Sequence, residues 1–158
     1  MEEFNQLVSV VERLRAEDGC PWDREQTHAS LKPECIEEAA EVINGINILE
    51  QTGSAENLKE ELGDLLLQVV MHAQIAKEEG LFDITDVVAT VTDKMIRRHP
   101  HVFGNQTIDD SKEVSVKWEE IKKAEKDGKE EVEKTLPEAM EEAIRFIQVA
   151  KKKKGFDS

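Results

Sequence analysis

The chain has 158 residues, enough for one domain with a real core, and sets 21 basic against 35 acidic residues for a net charge of −14. That balance argues against a nucleic-acid partner, although an acidic protein can bind phosphates where a metal brings the positive charge. No apolar run reaches transmembrane length and no basic-then-apolar segment opens the chain, so no membrane partner is expected and, with only Cys20 and Cys35, the reducing cytoplasm is the expected location.

Nearly every segment reads as helix. Phe4, Leu7, Val8, Val11 and Leu14 recur at helical spacing through about Glu17, and Gly19-Cys20-Pro21-Trp22-Asp23 then reads as a loop. A second helix is expected from Ser30 to about Leu49, and a third from Ala55 to about Glu79, closed by Gly80. Asp83 can cap a fourth that Pro100 stops near Arg98. After a polar turn over Asn105–Asp110, a charged fifth helix spans Ser111 to about Lys126. Thr135-Leu136-Pro137-Glu138 has capping-box spacing with an early proline, and is expected to open a sixth. β-Branched residues show no period-2 alternation. The expected fold is all-α, an antiparallel helical bundle with an acidic metal site between two central helices.

The second and third helices carry Glu37-Glu38-x-x-Glu41 and Glu61-x-x-Asp64. A helix turns about 100° per residue, so Glu38 with Glu41, and Glu61 with Asp64, share faces. Acidic clusters on helices are usually solvated faces. Here Asp64 leads into Leu65-Leu66-Leu67-Gln68-Val69-Val70, a segment that reads as buried, where carboxylates need a partner or a metal. An oxygen-only donor set suits Mg²⁺ or Mn²⁺, and such a site points to phosphate chemistry.

Cations and aromatics lie farther on. Lys94, Arg97 and Arg98 share a helix face and form a phosphate-sized patch, or else complement the helix C-terminal dipole. Trp118, in Lys117-Trp118-Glu119-Glu120-Ile121-Lys122, either stacks on a base or anchors its helix to the core. His72, in an apolar run, reads as a satisfied core histidine and not a ligand, and Cys20, His28 and Cys35 match no zinc spacing.

In order along the chain, Cys20-Pro21-Trp22-Asp23, Thr27-His28-x-Ser30-Leu31, the EExxE motif, Glu61-Leu62-Gly63-Asp64, Arg97-Arg98-His99-Pro100-His101-Val102-Phe103 and Trp118-Glu119-x-Ile121-Lys122 resemble MazG-type nucleoside triphosphate pyrophosphohydrolases. The resemblance covers roughly residues 4 to 126. It implies an oligomeric, Mg²⁺-dependent all-α enzyme that cleaves nucleoside triphosphates to NMP and pyrophosphate. It also implies Glu38, Glu41, Glu61 and Asp64 as metal ligands, with Glu37 and Glu38 as catalytic carboxylates, Glu37 being a further ligand or the base that activates water. Lys94, Arg97, Arg98, Trp118 and Lys122 would bind substrate. Two departures stand out. Members often have aromatic residues near the positions of Glu34 and Ala40, and this chain has no tyrosine. Residues 131–158 resemble the connector after the first domain of two-domain members, so a domain over 1–130 is expected, followed by a connector helix. Competing readings are phosphoribosyl-ATP or dUTP pyrophosphohydrolysis and, from another class, a non-catalytic assembly domain. The apolar faces of helices two and three predict a homo-oligomer, a dimer or a tetramer.

Overall fold

Eight helices and no strand make up the described residues of the computed structural model, which are 2–105, 110–125 and 130–156. The all-α expectation holds. Two compact units divide the chain, Met1–Ile84 with Glu141–Ser158, and Thr85–Met140.

In the first unit, α3 (Lys32–Thr52) and α4 (Glu56–Glu78) pack against each other as the central pair. Gly53 ends α3 with a φ of 76°, a left-handed conformation that glycine adopts without a Cβ clash, and its N–H donates to the Leu49 carbonyl. That short turn returns α4 along α3. α1 (Glu2–Arg15) packs on α4 and contributes Val11 to a buried cluster with Leu31, Val70, Met71 and Ile75. Fully burying an aliphatic side chain of this size stabilises the fold by roughly 1.5–3 kcal/mol. This cluster fixes the α4 segment that follows Asp64.

The expected loop at Gly19–Asp23 instead contains a short helix, α2 (Pro21–Glu25). Proline suits a first helical turn, because its missing N–H has no helical acceptor there and its φ is already set. Arg15 then holds the segment in place. Its side chain is 6% exposed, and Nη2 lies 2.7 Å from Glu78 Oε2 on α4. Its Nη1 donates to the carbonyls of Asp23 and Gln26.

The second unit holds α5 (Ile84–Arg98) from Thr85 onward, α6 (Pro100–Phe103), α7 (Ser111–Ala124) and the first part of α8 (Glu130–Lys153). Pro100 stops α5 as expected, then opens α6. Asp110 caps α7 by accepting from the Lys112 N–H at 3.1 Å. Residues 106–109 of the expected polar turn, and Lys126 at the expected end of the fifth helix, lie outside the described residues. The sixth helix starts at Glu130, earlier than Thr135, and Pro137 lies inside it. An internal proline removes one helical hydrogen bond, and the helix continues through it. Among the described residues no helix is long and apolar enough to cross a membrane.

Candidate active site

The α3–α4 pair brings Glu38, Glu61 and Asp64 together, with one oxygen of each lying within 4.8 Å of the others. Glu38 comes from α3; Glu61 and Asp64 are one turn apart on α4. Glu38 Oε2 is buried and has no hydrogen-bond partner. Burial, followed by the charges of Glu41, Asp64, Glu61 and Glu34, raises the Glu38 carboxyl to about 7. Asn57 Nδ2 donates to Glu61 Oε1 at 2.7 Å and orients that carboxylate. Convergent carboxylates with an orphaned buried oxygen fit a hard divalent cation, which would replace mutual repulsion with attraction.

Glu41 lies outside this group of three. It shares a partner with Glu37, the ammonium of Lys154 just beyond α8, with Nζ 2.7 Å from Glu37 Oε1. Hydrogen bonds to Glu37 and then Glu41 push Lys154 well above the usual lysine range. Sequence reasoning missed Lys154, which stands 113 positions from Glu41. The run Lys151-Lys152-Lys153-Lys154 was visible, but nothing local separates one of these lysines from the others.

Beside the cluster lies a cavity of about 460 Å³, walled by α3, α4 and the end of α8. Glu61 lines it and also belongs to the metal-type cluster. Phe146, Ile147 and Phe156 supply an apolar wall that the sequence analysis did not single out.

Lys94, Arg97, Arg98, Trp118 and Lys122 lie in the second unit. Arg97 Nε lies 2.7 Å from Glu125 Oε1, and Arg98 Nη2 lies 2.6 Å from Glu125 Oε2. These bonds, that of Arg98 foremost, hold the Glu125 carboxyl down at about 2. Trp118 faces the Arg98 guanidinium at 5.3 Å and meets the His99 ring edge-on at 4.8 Å. Its observed partners are therefore the cationic turn itself. Lys122 pairs with Glu119 at 3.1 Å, and Lys94 is half-buried one turn before Arg97 and Arg98.

His72, expected as a satisfied core histidine, is half-buried with a partner on each ring nitrogen. Its Nδ1 is 2.7 Å from His28 Nδ1, and its Nε2 is 3.3 Å from Cys35 Sγ. Burial, then His28, lowers the His72 pKa, and burial raises the Cys35 thiol. His28, His72 and Cys35 thus form a linked row of side chains, and among the described residues the only metal-type group is Glu38, Glu61 and Asp64.

Residues 26–103 match the family described as the MazG nucleotide pyrophosphohydrolase domain. The chain is 54% identical over 127 residues to the nucleoside triphosphate pyrophosphohydrolase/pyrophosphatase MazG of Thermotoga maritima, covering 80% of this chain and 46% of that protein. It is 41% identical over 164 positions to the nucleoside triphosphate pyrophosphohydrolase of Escherichia coli K12, covering 99% of this chain and 60% of that protein. Protein YabN of Bacillus subtilis, which is uncharacterized, is 46% identical over 140 residues, covering 85% of this chain and 28% of its own length. The chain thus spans between 28% and 60% of these relatives. Through residues 26–103, which include all five motif carboxylates of α3 and α4, this chain belongs to the MazG nucleotide pyrophosphohydrolase domain family.

Proposed function

We propose that this protein hydrolyses the α–β phosphoanhydride of ribo- or deoxyribonucleoside triphosphates, releasing NMP and pyrophosphate in a Mg²⁺-dependent reaction that Mn²⁺ can also support. The convergence of Glu38, Glu61 and Asp64 around an unpartnered buried oxygen carries this reading. Glu38, Glu61 and Asp64 would hold the ion, with Glu41 joining them on release from Lys154. When bound, Mg²⁺ supplies charge neutralisation for the phosphates and acidifies water. Glu37, freed by the same release of Lys154, would be a further ligand or the carboxylate that takes the proton of the attacking water. Lys94, Arg97 and Arg98 supply positive charge for the leaving pyrophosphate, with Trp118 positioning Arg98 and Lys122 adding charge.

Residues 1–130 form the pyrophosphohydrolase domain in this reading, and 131–158 the connector-like helix. A homo-oligomer, dimer or tetramer, is part of the proposal. Ile43 and Leu62 are 61% and 50% exposed, an apolar surface that a closed symmetric assembly would cover.

A panel of nucleoside triphosphates with Mg²⁺ or Mn²⁺, scored for NMP and pyrophosphate, tests the reaction. NDP and orthophosphate as first products would discard attack at the α-phosphorus. The non-catalytic assembly reading draws support from Lys154, which occupies Glu37 and Glu41, and from Glu125, which occupies Arg97 and Arg98. Absence of pyrophosphate with every nucleotide would favour it.

A further inference from the structure

Two ion pairs fasten the end of α8 along α3. Lys32 Nζ lies 3.1 Å from Glu142 Oε2, and Lys154 bridges Glu37 and Glu41. Between these anchors the helix does not close on α3, and the cavity of about 460 Å³ remains. That volume falls within the roughly 300–1,000 Å³ of small-molecule sites.

The chemistry of the walls narrows the ligand. Phe146, Ile147, Ala150 and Phe156 give an apolar, partly aromatic side. Ile147 and Phe156 remain 39% and 63% exposed, so among the described residues nothing covers them fully. Glu37, Glu41 and Glu61 line the facing wall, and with Lys154 paired to Glu37 and Glu41 or released they make it a poor site for a free anion. Asn44 on α3 adds an amide with both donor and acceptor. An uncharged, flat, hydrogen-bonding group suits such walls, and a nucleobase has those properties. Glu61 belongs both to this cavity and to the metal-type cluster. A ligand with its base in the cavity therefore presents its phosphates next to the carboxylates.

We infer that the cavity under the end of α8 is the nucleoside subsite of this protein, with Phe146 as the stacking face and Asn44 reading the base edge. The inference rests on the proposed nucleotide chemistry, but places recognition on α8, outside the 26–103 stretch that defines the family match. The family framework would then supply the carboxylates, and residues 141–156 the grip on the nucleoside.

The test is equilibrium binding to the full chain, with Ca²⁺ present to support binding without relying on turnover. The probes are the ribo- and deoxyribonucleoside triphosphates, with inorganic tripolyphosphate as the ligand that lacks a nucleoside. Phe146→Ala is expected to weaken the best-bound nucleotide about tenfold, the size of one base–aromatic stack, and Phe146→Trp to retain it. Ala150→Trp, which fills the cavity, should weaken it at least as much. Tripolyphosphate affinity should stay within about twofold in all three variants. Melting curves identify a variant that misfolds, and the other substitution then decides. Unchanged nucleotide affinity, an equal loss for tripolyphosphate, or no nucleotide binding at all would overturn the inference. A wild-type chain that binds nucleotide through Phe146 yet releases no pyrophosphate would overturn the proposed reaction alone.

Discussion

Gly45 on α3 faces the backbone of Leu58 on α4 so closely that a Cβ built on the glycine would lie 2.8 Å from Leu58 Cα. Backbone cannot swing away as a flexible side chain can, so any other residue must push the helices apart. This close approach sits in the same helix pair that carries Glu38 and Glu61.

Gly45→Ala is therefore expected to destabilise the protein, although alanine is the better helix former by about 1 kcal/mol. Overpacking of this kind costs about 1–3 kcal/mol, and rigid backbone puts this site at the upper end. Chemical denaturation of the metal-free protein measures the difference. A variant as stable as the parent, or more so, would show that the helices do not meet there.

Glu38 should make metal-free stability fall as pH rises. Its carboxyl moves from 4.5 to about 7 in the folded state, so between those values the native protein binds more protons than the unfolded chain. The protonated state contributes stability that is fully present below about 4.5 and is lost as pH rises through about 7. In EDTA, Glu38→Gln should thus melt higher than the parent at pH 8, with the gap closing toward pH 4.5. In the same variant, Mg²⁺ affinity should drop by more than the roughly 10–100-fold that loss of a ligand's hydrogen-bond partner costs. Equal melting temperatures at pH 8, or retained Mg²⁺ affinity, would remove Glu38 from the site.

Lys154 competes with any cation for Glu37 and Glu41. Lys154→Met should tighten Mg²⁺ binding several-fold at pH 8, because a fixed positive charge leaves the neighbourhood of the carboxylates. Partial exposure limits the size of the effect, as solvent screens such pairs. Titration calorimetry without nucleotide reads it directly. An affinity that falls would mean Lys154 positions the carboxylates for the metal and does not compete with it.

Assembly gives the last expectation. With Ile43, Ile46, Leu62, Leu66 and Val69 between 39% and 61% exposed, the α3–α4 pair presents apolar side chains to solvent. Light scattering at micromolar concentration with Mg²⁺ should return at least a dimer mass. Replacing Ile43 and Leu62 with glutamate should shift it to the monomer. A monomer mass for the unaltered chain would end this reading.

The sequence by itself determined the helical class, the two central helices, and the carboxylates now found on them. Local rules suffice for these, because periodicity sets the buried stripe and i, i+3 spacing puts Glu61 and Asp64 on one face. It misjudged Pro21 and Pro137, where a proline signal has two local meanings and the surrounding helix decides between them. Only the tertiary structure showed which carboxylates converge. Glu38, Glu41, Glu61 and Asp64 are equivalent as motif letters, yet packing gathers three of them, and Lys154 takes Glu41 together with Glu37. The pairing of Arg97 and Arg98 with Glu125, the burial of Arg15, and the cavity walled by Phe146 and Phe156 arise in the same way. Each joins residues whose separation along the chain carries no pattern, because a contact between distant helices depends on how their faces meet in space and leaves no period in the sequence.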